Sequence, residues 1–150
     1  MQWLTFMNSD AAKNLSALIR EITWSFGARG LKGECCGDLS QPEYRALCLA
    51  SERRQCSMQE IAKDLGFTKG GATRVVNRLE TRGYVERMRS PEDGRVCCVK
   101  VTTPGNMLVK SVNREKEERI VKIMSKVDPG MREIINTALR SFVQALRVEE

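Results

Sequence analysis

The sequence predicts a mainly α-helical fold carrying one small β-ribbon, and three observations predict it. Apolar residues recur at the i, i+3, i+4 spacing of a buried helix face along most of the chain. Strand-like alternation occurs in only one place, on either side of the Asp93-Gly94 turn. Just before that ribbon, two short helical segments meet across Gly66-Phe67-Thr68, which makes a helix-turn-helix with a β-wing behind it.

The elements follow in order. Ser9 N-caps a first helix whose stripe is Leu15, Leu18, Ile19, Ile22 and Phe26. The glycine-rich GARGLKGECCG ends it and reads as a loop. Ser40-Gln41-Pro42-Glu43 is a capping box with a proline in the first turn, and it opens a second helix with Tyr44, Leu47 and Cys48 on its inner stripe. Ser57-Met58-Gln59-Glu60 repeats the box for a third helix, which Gly66 closes. Thr68 caps the fourth, in which Ala72, Val75, Val76 and Leu79 face inward and Gly83 ends the element.

Two strands follow, Tyr84–Arg89 and Val96–Thr102. In the second, Cys97, Val99 and Val101 share one face and Val96, Cys98 and Lys100 the other, so Cys97 is expected in the core and Cys98 outside. A long helix runs from about Pro104 to Lys126, with Glu115–Arg119 and Glu118–Lys122 pairs at helical spacing. Asp128-Pro129 starts the last helix, whose stripe (Met131, Ile134, Ile135, Ala138, Leu139, Phe142, Leu146) is the strongest period in the chain.

Composition narrows the function. One hundred and fifty residues suit one compact unit with a real core. A formal charge of +6 points to a polyanionic partner. Between Lys69 and Lys100 eight basic residues stand against four acidic ones, so most of that excess sits on the helix-turn-helix and wing. Histidine is absent, which removes the commonest general base and metal ligand, so an enzyme is not expected. Six cysteines include no C-x-x-C, so no metal site is firmly expected. No apolar run spans a bilayer and MQWLTFM lacks a positive leader region, so the expected location is the cytoplasm, away from any membrane.

At this point the residues resemble the MarR (multiple antibiotic resistance regulator) family of winged-helix transcriptional regulators. The resemblance lies in the helix text GATRVVNRLETRGYVER and in a wing that carries Asp93, Arg95, Val101-Thr102 and Gly105 at the family's spacing. The entry Leu39-Ser40-Gln41-Pro42-Glu43-Tyr44 is also similar. The resemblance implies a homodimer that reads a pseudo-palindromic operator in double-stranded DNA, with residues 1–38 and 104–150 as the dimerisation region and 39–103 as the DNA-binding lobe. The long apolar stripe of the last helix points the same way, since it exceeds what one small lobe buries. The family often carries an acid where Asn77 stands, so a salt bridge from that position is not carried over.

The expected DNA contacts are Lys69, Gly70, Gly71, Thr73, Arg74, Asn77 and Arg78 on the fourth helix and Arg89, Asp93 and Arg95 on the wing. Arg74 is the candidate base reader, because a guanidinium pairs bidentately with guanine. Gly70 and Gly71 leave the first helical turn bare, so its amides can approach a phosphate. Arg95 suits the minor groove or a phosphate, steadied by Asp93. Arg82 and Arg87 divide between phosphate contact and solubility.

Cys35, Cys36, Cys56 and Cys98 are the candidate sensor thiols, with oxidants or soft metal ions as stimuli and a thiophilic ion at Cys35/Cys36 as the candidate cofactor. None is required by the fold. The expected function is a dimeric repressor relieved by a small-molecule ligand or a thiol-directed signal; the alternative is a winged-helix protein-interaction module without specific DNA binding.

Overall fold

The computed structural model describes residues 9–27, 39–53, 55–90 and 92–148. The elements are α1 (Ser9–Phe26), α2 (Gln41–Glu52), β1 (Cys56–Ser57), α3 (Met58–Leu65), α4 (Lys69–Thr81), β2 (Val85–Arg89), β3 (Cys97–Val101), α5 (Thr103–Met124) and α6 (Pro129–Leu146). They fall into two compact units, one ending at Asn113 and one beginning at Arg114.

In the first unit the helix starts are fixed by local chemistry. Ser40 donates its backbone N–H to Glu43 Oε2 at 2.8 Å at the start of α2. Ser57 donates its own to Glu60 Oε2 at 2.7 Å, and the Glu60 N–H returns to Ser57 Oγ at 3.2 Å, which completes the second capping box. Gly66 ends α3 in the left-handed region at φ 63°, a conformation that costs a residue with Cβ and lets the chain turn sharply into α4. Arg45 of α2 forms a fork on the Asp64 carboxylate of α3 at 2.7 and 2.8 Å.

The interior of this unit is apolar and continuous. Leu47 from α2, Ile61 from α3, Val76 and Leu79 from α4 and Val99 from β3 are all shut off from solvent. Ala72 and Val75 join them, so the inward stripe of α4 is the one its spacing predicts. Tyr44 and Leu47 are buried as expected in α2, and Cys48 is half-buried. The start of α5 adds Val109 and Val112 and is tied to α2 through Tyr44 Oη–Asn113 Oδ1 at 2.8 Å and Ser51 Oγ–Asn106 Oδ1 at 2.7 Å. Gly105 sits where α5 crosses the end of the ribbon. A Cβ there would collide with the Tyr84 carbonyl oxygen and reach Val101 Cγ2 at 2.9 Å.

The sheet corrects the sequence expectation in two ways. It has three antiparallel strands in the order β1-β3-β2, not two. The added strand, β1, pairs Cys56 with Val99 and Ser57 with Cys98 and is too short to show any alternation. The second correction concerns the thiols. Cys98 is buried and Cys97 is exposed, the reverse of what face alternation suggests. Position along the strand decides this. Cys98 lies mid-sheet between Ser57 and Met88, whereas Cys97 pairs only with Arg89 at the open end of the ribbon. Cys56 is buried as well, and burial, with the nearby Glu60 carboxylate, pushes its thiol up to about 11. Neither Cys56 nor Cys98 has the exposed thiolate a sensor needs. Cys35 and Cys36 lie outside the described residues.

α1, also in the first unit, has no buried residue. Leu18 is 61% exposed and Ile22 50%.

The second unit holds the rest of α5 and α6. Arg114 Nε lies 3.8 Å from Glu118 Oε1 on the exposed middle of α5. Asp128 caps α6 by accepting the Gly130 N–H at 2.9 Å, and Arg132 Nε donates back to the Val127 carbonyl at 3.1 Å. α6 likewise has no buried residue. Ile134 is 57% exposed, Leu139 51% and Leu146 50%.

Candidate nucleic-acid interface

α4 presents its polar face because its apolar face is used up in the core. Lys69, Gly70, Arg74, Asn77 and Arg78 are exposed, while Gly71 and Thr73 are half-buried. Thr68 Oγ1 accepts the Gly71 N–H at 3.2 Å, which fixes the first turn without covering it. Nothing lies within 4 Å of where a Gly70 Cβ would be, so that turn is open to an approaching backbone. Thr73 turns its hydroxyl onto the Lys69 carbonyl at 2.8 Å, which spends its donor on the helix and leaves only acceptor capacity outward.

Two of the expected contacts on α4 have side-chain partners on other elements. Asn77 Oδ1 accepts from Arg87 Nη2 of β2 at 2.5 Å. Arg87 Nε also lies 3.7 Å from Glu80 Oε2, so this arginine joins the wing to α4. Arg78 Nη1 reaches Glu43 Oε1 at 3.4 Å, from a side chain that is otherwise 69% exposed. Glu43 itself is buried at the start of α2. Burial pushes its carboxyl up, but hydrogen bonds from the Ser40 backbone and side chain and from Arg78, with the field of Arg82, outweigh that and hold it below its ordinary value. Sequence spacing could not reveal either link, since the partners are 10 and 35 residues apart on different elements.

The wing tip is built by short polar side chains. Asp93 Oδ1 accepts the Arg95 N–H at 3.0 Å, so Asp93 shapes the turn that presents Arg95. Ser90 Oγ accepts the N–H groups of Glu92 and Asp93 at 3.3 and 3.4 Å. An open cleft of about 510 Å³ on the ribbon is lined by Arg87, Arg89, Arg95 and Cys97. Arg89 and Arg95 are exposed. The arrangement is cationic on both the helix and the wing and suits a phosphodiester backbone. Among the described residues no group of three or more His, Cys, Asp or Glu could hold a metal ion, and no described helix is long and apolar enough to cross a membrane.

Comparison with known proteins agrees with this geometry. The MarR family profile matches residues 39–97. YdgJ, an HTH-type transcriptional regulator of Bacillus subtilis, is 29% identical over 106 residues, a stretch covering 71% of this chain and 65% of that protein. The chain thus spans just under two thirds of that relative. A MarR family protein from Bacillus stearothermophilus has the same fold, with TM-score 0.82 at 20% identity over 94% of this chain and 99% of that one. FabT of Streptococcus pneumoniae, solved in complex with DNA, gives TM-score 0.73 at 22% identity over 93% and 96% of the two chains. The capped helix-turn-helix and the three-stranded wing lie in the lobe that the MarR family profile matches, and over that lobe the chain is similar to MarR-type HTH transcriptional regulators.

Proposed function

We propose that this chain is a homodimeric, sequence-specific DNA-binding regulator of the repressor kind, acting in the cytoplasm. The observation that carries the reading is the α4 face with Arg74 exposed and the wing tied to it through Asn77–Arg87, two cationic surfaces on one rigid lobe. α4 enters the major groove with Arg74 on a base edge, and Arg89 and Arg95 follow the adjacent backbone. The DNA-bound FabT neighbour supports this use of the fold.

Dimerisation through residues 1–38 and 104–150 is supported by the apolar stripes of α1 and α6, in which no described residue is fully buried within its own unit. Two heads held one DNA turn apart then read a pseudo-palindrome, and a shift in their spacing releases it. Release by a small ligand, or by a thiol signal at Cys35 and Cys36, belongs to the same proposal and rests on the sequence alone.

Sedimentation analysis and a gel shift at several salt concentrations test this together, using a duplex selected by the protein from a randomised library. The expected result is a dimer whose affinity falls steeply with salt and is lost in Arg74→Ala. A monomer, or equal affinity for selected and scrambled duplexes, overturns the reading.

A further inference from the structure

Glu43 is the one buried charged residue among the described positions, and nothing in the capping role of its Oε2 requires Oε1 to face the reading helix. Yet Oε1 receives Arg78 Nη1 at 3.4 Å. The carboxylate is only 4% exposed, while Arg78 stands on the outward face of α4.

Ser40 satisfies part of this buried carboxylate and Arg82 adds its field, but Arg78 is the cation that hydrogen-bonds to it. The departure of Arg78 therefore leaves the charge less well compensated in a poorly solvated place and is disfavoured. Arg78 is also a planar fork with five donors, of which Glu43 takes one. The remaining donors are therefore presented in a fixed direction, and the net charge of the pair is near zero. That combination affects selectivity more than raw affinity. A freely mobile arginine would follow any phosphate, whereas a fixed and half-neutralised one contacts DNA only when the helix is seated in one register.

We propose that Glu43 is a specificity-determining positioning residue of the DNA-reading face, acting through Arg78. It lowers attraction to arbitrary DNA and reserves the Arg78 guanidinium for the correctly seated complex. This rests on the DNA-reading proposal and adds a residue that itself touches no DNA.

The test measures the affinity of the full-length protein for a selected duplex and for a scrambled one, by fluorescence anisotropy across a salt series. The proteins compared are the parent, Glu43→Gln, Arg78→Gln and the double variant. Glutamine keeps an oxygen for the Ser40 N–H but removes the charge. Glu43→Gln is expected to bind the scrambled duplex several-fold more tightly and to lower the selected-to-scrambled ratio about tenfold, with a salt slope steeper by about one unit. In the Arg78→Gln background the same change should move the ratio less than twofold.

An equal drop in both backgrounds shows that Glu43 acts only on the fold and overturns the proposal, as does an unchanged ratio. Should Glu43→Gln fail to fold, Arg78→Lys decides. It keeps the charge but loses the fork, and the ratio must fall by a similar factor. If the parent itself binds both duplexes alike, it is the DNA-reading proposal that fails and not the role of Glu43 within it.

Discussion

Asn77 Oδ1 on α4 receives Arg87 Nη2 from β2 at 2.5 Å, so the reading helix and the wing are joined side chain to side chain. Glu80, one turn along α4, lies 3.7 Å from the same guanidinium and adds charge to the join. Arg87 therefore acts as a strut between α4 and the wing. The family often has an acid where Asn77 stands; here a neutral carbonyl oxygen takes the arginine, with Glu80 supplying the charge.

Removing that strut should loosen the wing without unfolding the lobe. Asn77→Ala and Arg87→Ala are each expected to weaken binding to a selected duplex by about 1 kcal/mol, somewhat under tenfold. Because both remove one interaction, the double variant should be little worse than either single. Additive losses in an anisotropy titration would show that the two residues contact DNA independently.

Two glycines should behave oppositely. Gly105→Ala places a Cβ against the Tyr84 carbonyl oxygen and Val101, at an expected cost of about 1–3 kcal/mol in urea denaturation. Gly70→Ala meets open space in a helix and should stabilise by about 0.5–1 kcal/mol. The proposed function sets the bare first turn of α4 against a phosphate, where the same methyl would intrude, so Gly70→Ala should still lose DNA affinity several-fold. If it becomes more stable and binds equally well, that turn does not face the backbone.

Much of this lobe was legible in the sequence because its information is local. Ser40, Ser57 and Thr68 announce helix starts within four residues, and the α4 stripe repeats at a fixed spacing. The outward positions Lys69, Arg74 and Arg78 followed directly from that stripe. What escaped depends on contacts across elements. β1 is two residues long and exists only because β3 lies beside it. The exposures of Cys97 and Cys98 were misread because alternation gives the face of a strand but not how much of that face is covered. Glu43 was legible as a cap, but its second oxygen finds Arg78 only in three dimensions.

Thiol chemistry offers a direct check on that correction. With a disulfide reagent such as dithionitrobenzoate and peptide mass mapping, Cys97 should label well before Cys56 and Cys98. Cys56, with its thiol pushed up to about 11, should react appreciably only in strongly alkaline solution or on unfolding. Labelling of Cys98 ahead of Cys97 at neutral pH would restore the expectation from alternation.

Acid stability should carry the signature of the two capping glutamates. Glu43 and Glu60 both titrate below their ordinary value of 4.5 in the folded protein. Their contribution is therefore full above that pH and is lost as pH falls through their folded values. Glu43→Gln should lower stability near neutrality and flatten the acid limb of the denaturation midpoint against pH. An acid limb parallel to that of the parent would mean that Glu43 gains nothing from its charge.

Hydroxyl-radical footprinting on a selected duplex tests the central claim most directly. Two protected blocks related by a two-fold axis, about one helical turn apart and lost in Arg74→Ala, are the expected result. A uniform ladder, or a single block that survives Arg74→Ala, would contradict a dimer that reads DNA with α4 and the wing.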